Sequence, residues 1–262
     1  DYKDARAMYE VIMDEGAGDV TKISDGLLAD IILSQWADGD SVAGFDALLT
    51  RQIVVDRQYR ENLKQQQPRM SPLELARIHA PLVPKLAAMR AVLYSEQEDQ
   101  AQAEIALEAA VETLKLLAQI YVNQGGEVIL VAGESLIQSA WLTLWLGGDV
   151  ELAKEIIQDA EEVVVIDSLE KQRLDGWISL REGDYDLALS LLRPLSDDPA
   201  AKLGVAVASQ KLGNISEAAS HYLHVARMYG GTMVGVWAHK RLKEIIQQDF
   251  EVREEVEDIK NL

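Results

Sequence analysis

The sequence predicts an all-α fold built as an array of helical repeats, and three observations carry that reading. Apolar residues recur at three- and four-residue spacing through almost every segment, on a background rich in Ala, Leu, Glu, Gln and Lys. A phrase of Gly, a small polar residue, an apolar residue, two variable residues and Ala occurs at Gly148–Ala153, Gly183–Ala188 and Gly213–Ala218, returning after 35 and then 30 residues. Recurrence at the length of one supersecondary unit is the signature of a repeat architecture. The single β-like run, Val163–Ile166, is too short and isolated to need a sheet.

The elements follow in chain order. Tyr2, Ala5, Met8, Tyr9, Ile12 and Met13 give a first amphipathic helix, stopped by Gly16 and Gly18. Val20–Trp36 is a second, with Ile23, Leu27, Ile31 and Ile32 on one face, and Ser41–Leu63 a third around Phe45, Leu48, Leu49, Ile53 and Tyr59. The polar stretch Lys64–Arg69 is a connection. Ser71, Pro72 and Glu74 form a helix start, and Pro81 and Pro84 predict a break or kink, because each removes a backbone donor. Asp99–Val122 is a long Ala-rich helix ended by Gly125 and Gly126, and Glu127–Leu146 is the next. Beyond Gly147 helices are expected near 149–163, 167–182, 184–195, 198–212, 214–229 and 232–248. No Gly/Ser linker divides the chain. The expected organisation is one continuous array: irregular helical repeats over 1–130, three repeats and a terminal capping helix over 131–250, and an acidic tail over 251–262.

These residues resemble the tetratricopeptide repeat, a helix–turn–helix unit of 34 residues. Gly183, Tyr185, Ala188, Leu192 and Leu195 match its turn and second helix, and Pro199 lies close to the family's unit end. Gly213, Ile215, Ala218, Tyr222 and Val225 match again, as do Gly148, Val150, Ala153, Ile157 and Ala160. The match covers residues 135–230. The first helix of each copy departs from the family pattern: its leading Trp and Leu-Gly pair are missing, with Gly176 and Trp177 shifted by one residue. Residues 17–130 carry no clean copy. Asp1, Tyr2, Ala5, Tyr9 and Ile12 read as a second helix whose partner helix would precede Asp1, so the chain reads either as a piece cut from a longer array or as an array whose first helix was removed. The resemblance implies a right-handed superhelical α-solenoid of antiparallel helix pairs. Ala153, Ala188 and Ala218 are then expected to be buried where paired helices approach.

Composition narrows the function classes. The chain has 262 residues and carries 44 acidic against 25 basic side chains, a net charge of −19. Phosphate backbones and anionic membranes would be repelled, so nucleic acid is not an expected partner. The longest charge-free run near the middle, Ser135–Gly148, is shorter than the roughly 18 residues that suggest a span, so no membrane insertion of this fragment is expected. Cysteine is absent, which removes thiol chemistry and Cys-ligated metals.

The chemistry-bearing residues point away from catalysis. His221 and His224 lie three apart with Glu217 one turn back, a spacing able to hold a metal, but both flank core-facing Tyr222 and Val225 and read better as rim and inter-helix residues. His79 and His239 have no nucleophile context. Paired acids such as Glu161–Glu162 and Glu254–Glu255 read as solvated helix faces, and the Gly-Gly pairs lack the Lys-Ser/Thr of a phosphate loop. We therefore expect no enzyme, no cofactor and no metal.

The resemblance also implies a binding face. The family's concave positions fall on Ser135, Gln138, Leu142, Trp145 and Leu146, then Glu170, Arg173, Trp177, Leu180 and Arg181, then Ala200, Leu203, Val207, Gln210 and Lys211. Gln138, Trp145, Arg173, Trp177, Arg181, Gln210 and Lys211 are the candidate partner-binding residues. The opposing expectation is that the tryptophans pack between repeats and the cations pair locally. The expected function is a non-catalytic protein-interaction scaffold for a protein or peptide, with an acidic segment as the natural ligand. The alternatives are an all-α small-ligand receptor or enzyme using the concave cavity, and a homo-oligomer joined through exposed repeat ends.

Overall fold

The computed structural model describes residues 99–195 and 197–248, together with Asp4, Ala7, Ser34, Ala37 and Tyr94, each of which is helical. Apart from those five positions, the expectations for the first 98 residues lie outside the described residues. These are the three leading helices, the half-repeat at 1–15, the helix start at Ser71 and the kink at Pro81 and Pro84. The tail over 251–262 lies outside them too. Among the described residues every regular element is a helix. Contacts divide the chain into two compact units, described here through residues 99–166 and 167–248.

The first unit holds α1 (Gln100–Gln124), a 3-10 turn over Gly126–Val128, α2 (Ile129–Trp145) and α3 (Val150–Val163). Asp99 starts α1 by accepting the Gln102 N–H at 3.2 Å. Ala103, Ala106, Leu107, Ala110, Val111, Leu114, Ala118 and Tyr121 fall on one helical stripe and are buried. Helix α2 packs on both α1 and α3. Ala132 and Ala140 are fully buried and place only a methyl group between the helices. The β-like run is the extended end of α3, where Val164 has φ −140° and ψ 158° and lies against Gly133 of α2. Gly126–Trp145 is long and apolar enough by composition to cross a membrane, with mean hydropathy 1.4, but 56% of that window is buried inside the protein. A core helix satisfies the same criterion.

The second unit holds α4 (Ser168–Glu182), α5 (Tyr185–Leu192), α6 (Pro199–Lys211), α7 (Ile215–Met228) and α8 (Met233–Gln248). Each helix packs on the next, and α4 also reaches α6 while α6 reaches α8. Helix α5 ends three residues before the expected limit at 195. Pro194 has no N–H to extend the ladder, and its ring disfavours helical continuation. Pro199 instead opens α6, in the first turn where its missing donor costs nothing, behind the Asp198 cap.

The recurring phrase has a common hydrogen-bonded form with one displacement. Gly147, Gly183 and Gly213 have φ of 84°, 86° and 81°, the left-handed conformation that ends a helix. The next N–H in each case reaches back to a hydroxyl residue's carbonyl: Gly148 to Thr143, Asp184 to Ser179, and Asn214 to Ser209, each at 2.9 Å. In the first copy the turn glycine is therefore Gly147, one residue before the phrase places it. Gly148 answers a different need there, because a Cβ on it would lie 2.8 Å from the Thr143 methyl and 3.2 Å from Leu107.

Ala153, Ala188 and Ala218 are each 0% exposed, as the phrase requires. The centre of the second unit is Leu192. A Cβ on Gly176 of α4 or on Gly204 of α6 would each come within 2.5 Å of its methyls. Gly204 also faces the Trp177 indole, which is 2% exposed and donates its Nε1–H to the Ala200 carbonyl at 3.0 Å. Ala188→Leu should overpack the α4–α5 contact and cost roughly 1–3 kcal/mol. Gly204→Ala should cost a similar amount, since Leu192 and Trp177 must both move. Urea unfolding of the two variants checks this, and an unchanged midpoint in either contradicts the packing described.

Candidate functional site

The candidate residues separate into struts and exposed ends. Arg173 lies mid-helix in α4. Its guanidinium donates to the carboxylates of Glu170, one turn back, and Asp198, at the start of α6. Asp198 meanwhile accepts the Ala201 N–H at 2.7 Å. One carboxylate thus caps α6 and anchors the cation that ties α4 to it, a charge-assisted pair of hydrogen bonds in a half-buried place. Trp177, one turn further, is buried as described. Neither offers a free surface: the indole face is covered, and the guanidinium is committed to two acids.

Gln210 is half-buried, and its Oε1 accepts the Tyr222 hydroxyl proton at 2.9 Å, joining α6 to α7. Burial pushes the Tyr222 phenol well above its ordinary value, with Arg241 lowering it and Glu244 raising it by smaller amounts. The hydroxyl is therefore a permanent donor. Arg181 and Lys211 are exposed in the last turns of α4 and α6. Each lies two residues before a left-handed glycine, so the two occupy the same place in successive units, where a cation also complements the helix C-terminus. In the first unit that place, counted from Gly147, belongs to Trp145, which is half-buried; Gln138 is exposed on α2. The same count makes Trp141 the counterpart of Trp177.

A second group of polar side chains was not recognised from sequence as a cluster. Arg193, just after α5, donates from Nη2 to Glu217 Oε1 of α7 at 2.7 Å. His221 Nε2 lies 3.9 Å from the same oxygen. Lys202 of α6 brings its Nζ to 2.6 Å from His224 Nε2. An ammonium only donates, so His224 accepts through a deprotonated Nε2 in this arrangement. Both imidazoles have pKa values below the ordinary 6.5. For His221 burial is the main cause, then Glu217 opposing it, with Lys202, Arg193 and His224 adding to the depression; for His224 it is burial and then Lys202. The sequence held one signal for this group: His221 and His224 share a helix face with Glu217. The partners from α5 and α6 lie 22 to 24 residues away and could not be paired by spacing. Among the described residues no three His, Asp or Glu side chains come together as metal ligands.

No protein-family model matches the chain, and neither a curated protein nor a solved structure does.

The depressed histidines fix the sign of a pH effect. Between their folded pKa values and 6.5 the unfolded chain binds more protons than the folded one, so this stabilisation is present above 6.5 and is lost as pH falls below it. The thermal midpoint should decline on acidification through that range. His221→Gln, which removes the more buried of the two, should flatten the decline. Identical pH profiles of variant and parent would contradict the placement of His221.

Proposed function

We propose that this chain is a non-catalytic protein-interaction scaffold, a tetratricopeptide-like α-solenoid that receives a protein or peptide partner on a concave face. The observation that most supports the reading is the packing order of residues 167–248. Helix α6 touches both α4 and α8 besides its sequence neighbours, the packing order expected where one member of each pair lines an inner row. The equivalent turns at Gly147, Gly183 and Gly213 and the fully buried Ala153, Ala188 and Ala218 support a repeated unit.

On this reading Arg181 and Lys211 are the better contact residues, repeated at one place in successive helix pairs. Arg173, Trp177 and Gln210 hold the face in shape. An acidic segment suits two exposed cations in a chain of net charge −19, because complementary charge guides encounter and register.

The test begins with affinity capture and crosslinking from the source cells. Arg181→Glu with Lys211→Glu should abolish the captured interaction while leaving the unfolding free energy within about 1 kcal/mol of the parent, as for exposed charges elsewhere. Binding should weaken as salt rises, since rim charges are screened over about 8 Å at physiological ionic strength. Normal binding by the double variant would remove these residues from the interface. Failure of every crosslinked partner to touch residues 129–248 would remove the scaffold reading itself.

A further inference from the structure

We propose that Arg193, Lys202, His221 and His224 form a binding site for a doubly charged tetrahedral oxyanion of the phosphate type, either free or carried as a phosphoryl group on a side chain. The site lies where Arg193 at the end of α5 and Lys202 in the first turn of α6 meet the α7 face that carries Glu217, His221 and His224. It shares no residue with the proposed peptide-binding face and stands whether or not the scaffold reading holds.

The argument starts from an imbalance. In a chain with 19 more acids than bases, Arg193 and His221 lie beside one carboxylate, Glu217, and Lys202 lies beside His224, with Arg193, Lys202 and His224 all close enough to bear on His221. Arg193 takes that carboxylate at 2.7 Å. Lys202 is left with an imidazole: its ammonium lies 2.6 Å from His224 Nε2, and no described acid pairs with it. A cation held on a neutral ring keeps its full positive charge uncompensated, whereas a carboxylate or other anionic partner would neutralise it. An arriving dianion supplies the missing acceptor. The guanidinium fork, the ammonium and two rings supply donors of the kind that tetrahedral oxyanions require.

The histidines make the site take up protons. In the free protein the charges bearing on His221 are Glu217, Lys202, Arg193 and His224, and on His224 it is Lys202. The charges of α8 that bear on α7, Arg241 and Glu244, act on Tyr222 instead. When a dianion takes the Lys202 N–H, His224 Nε2 is released as an acceptor. It then accepts one proton from solvent and becomes a donor to the anion. His221 gains the same opportunity beside Arg193. Binding therefore tightens as pH falls, and Glu217 opposes it throughout as a competing like charge.

The experiment is a titration of the full chain with sodium sulfate, whose charge stays at −2 across pH 5–8, followed through the ring resonances of the histidines. Sulfate should raise the pKa of His221 and His224. A rise of one unit in one ring corresponds to a tenfold gain in affinity between its neutral and protonated limits. Lys202→Gln should weaken sulfate binding roughly tenfold, as expected for loss of a bond to a charged group. Glu217→Gln should strengthen it, and His224→Gln should flatten its pH dependence. All are partly exposed positions, and a thermal melt verifies that each variant is folded. Inorganic phosphate and a short blocked phosphoserine peptide distinguish the sources: equal affinity identifies a free anion, and tighter peptide binding identifies a phosphorylated partner. The proposal is overturned if neither ring responds to sulfate or phosphate at physiological ionic strength. It is equally overturned if Lys202→Gln and Glu217→Gln shift binding in the same direction. Either failure leaves the partner test at Arg181 and Lys211 untouched.

Discussion

The second unit depends on one steric arrangement, the seating of Leu192 between two helices that have given up their side chains. Gly176 on α4 and Gly204 on α6 leave room for its methyls, and Trp177 closes the same space from the side. Such a contact is all-or-none, because close-packed interiors have no slack for an added carbon. Around it the polar struts gain their geometry. Trp177 reaches the Ala200 carbonyl, Gln172 donates to the Leu191 carbonyl at 2.7 Å, and Arg173 meets Asp198. Each of these joins helices whose separation Leu192 sets. They fix direction and register more than they add stability, since the net worth of a single hydrogen bond is about 1 kcal/mol.

The strong negative charge has a local explanation besides solubility. Asp99, Asp149, Asp167, Asp184 and Asp198 stand at helix starts, and their carboxylates accept the first free backbone N–H groups. A negative side chain there also complements the positive end of the helix. A chain of short helices needs many such starts, so an acidic composition partly follows from the architecture. Arg181, Lys211 and Arg227 are placed by the same logic, in the last turns of α4, α6 and α7. Charge placement therefore carries both capping and recognition, and the sequence alone does not distinguish the two uses.

That ambiguity marks the boundary of what could be read in advance. From residue 99 to 248 helix positions followed from apolar spacing, and the burial of Ala153, Ala188 and Ala218 followed from the phrase, because both are local properties. The turn glycine of the first copy did not: Gly147 and Gly148 are adjacent and chemically identical, and only the Thr143 carbonyl and Leu107 show which one turns and which one yields space. Arg173 and Trp177 matched an exposed binding pattern as well as an inter-helix pattern. The deciding partners, Asp198 and Ala200, lie 25 and 23 residues downstream and enter only when α6 folds back. The cluster at Lys202 and His224 was hidden for the same reason.

Four hydrogen bonds and ion pairs that tie residues 167–248 together join partners near in sequence. Arg173–Asp198, Trp177–Ala200, Arg193–Glu217 and Tyr229–Asp197 span 25, 23, 24 and 32 residues. Low sequence separation between contacts favours rapid folding, because little chain entropy is lost in closing each loop. It also suits synthesis. At roughly 5–20 residues per second, a helix leaving the ribosome waits only a few seconds for the segment that covers it. Residues 167–248 can therefore be completed pair by pair as they are made, with Leu192 meeting Gly176 first and Gly204 soon after. The apolar surface that Leu192 buries against Gly176 and Gly204 then waits in solvent only for about the time taken to translate one further pair.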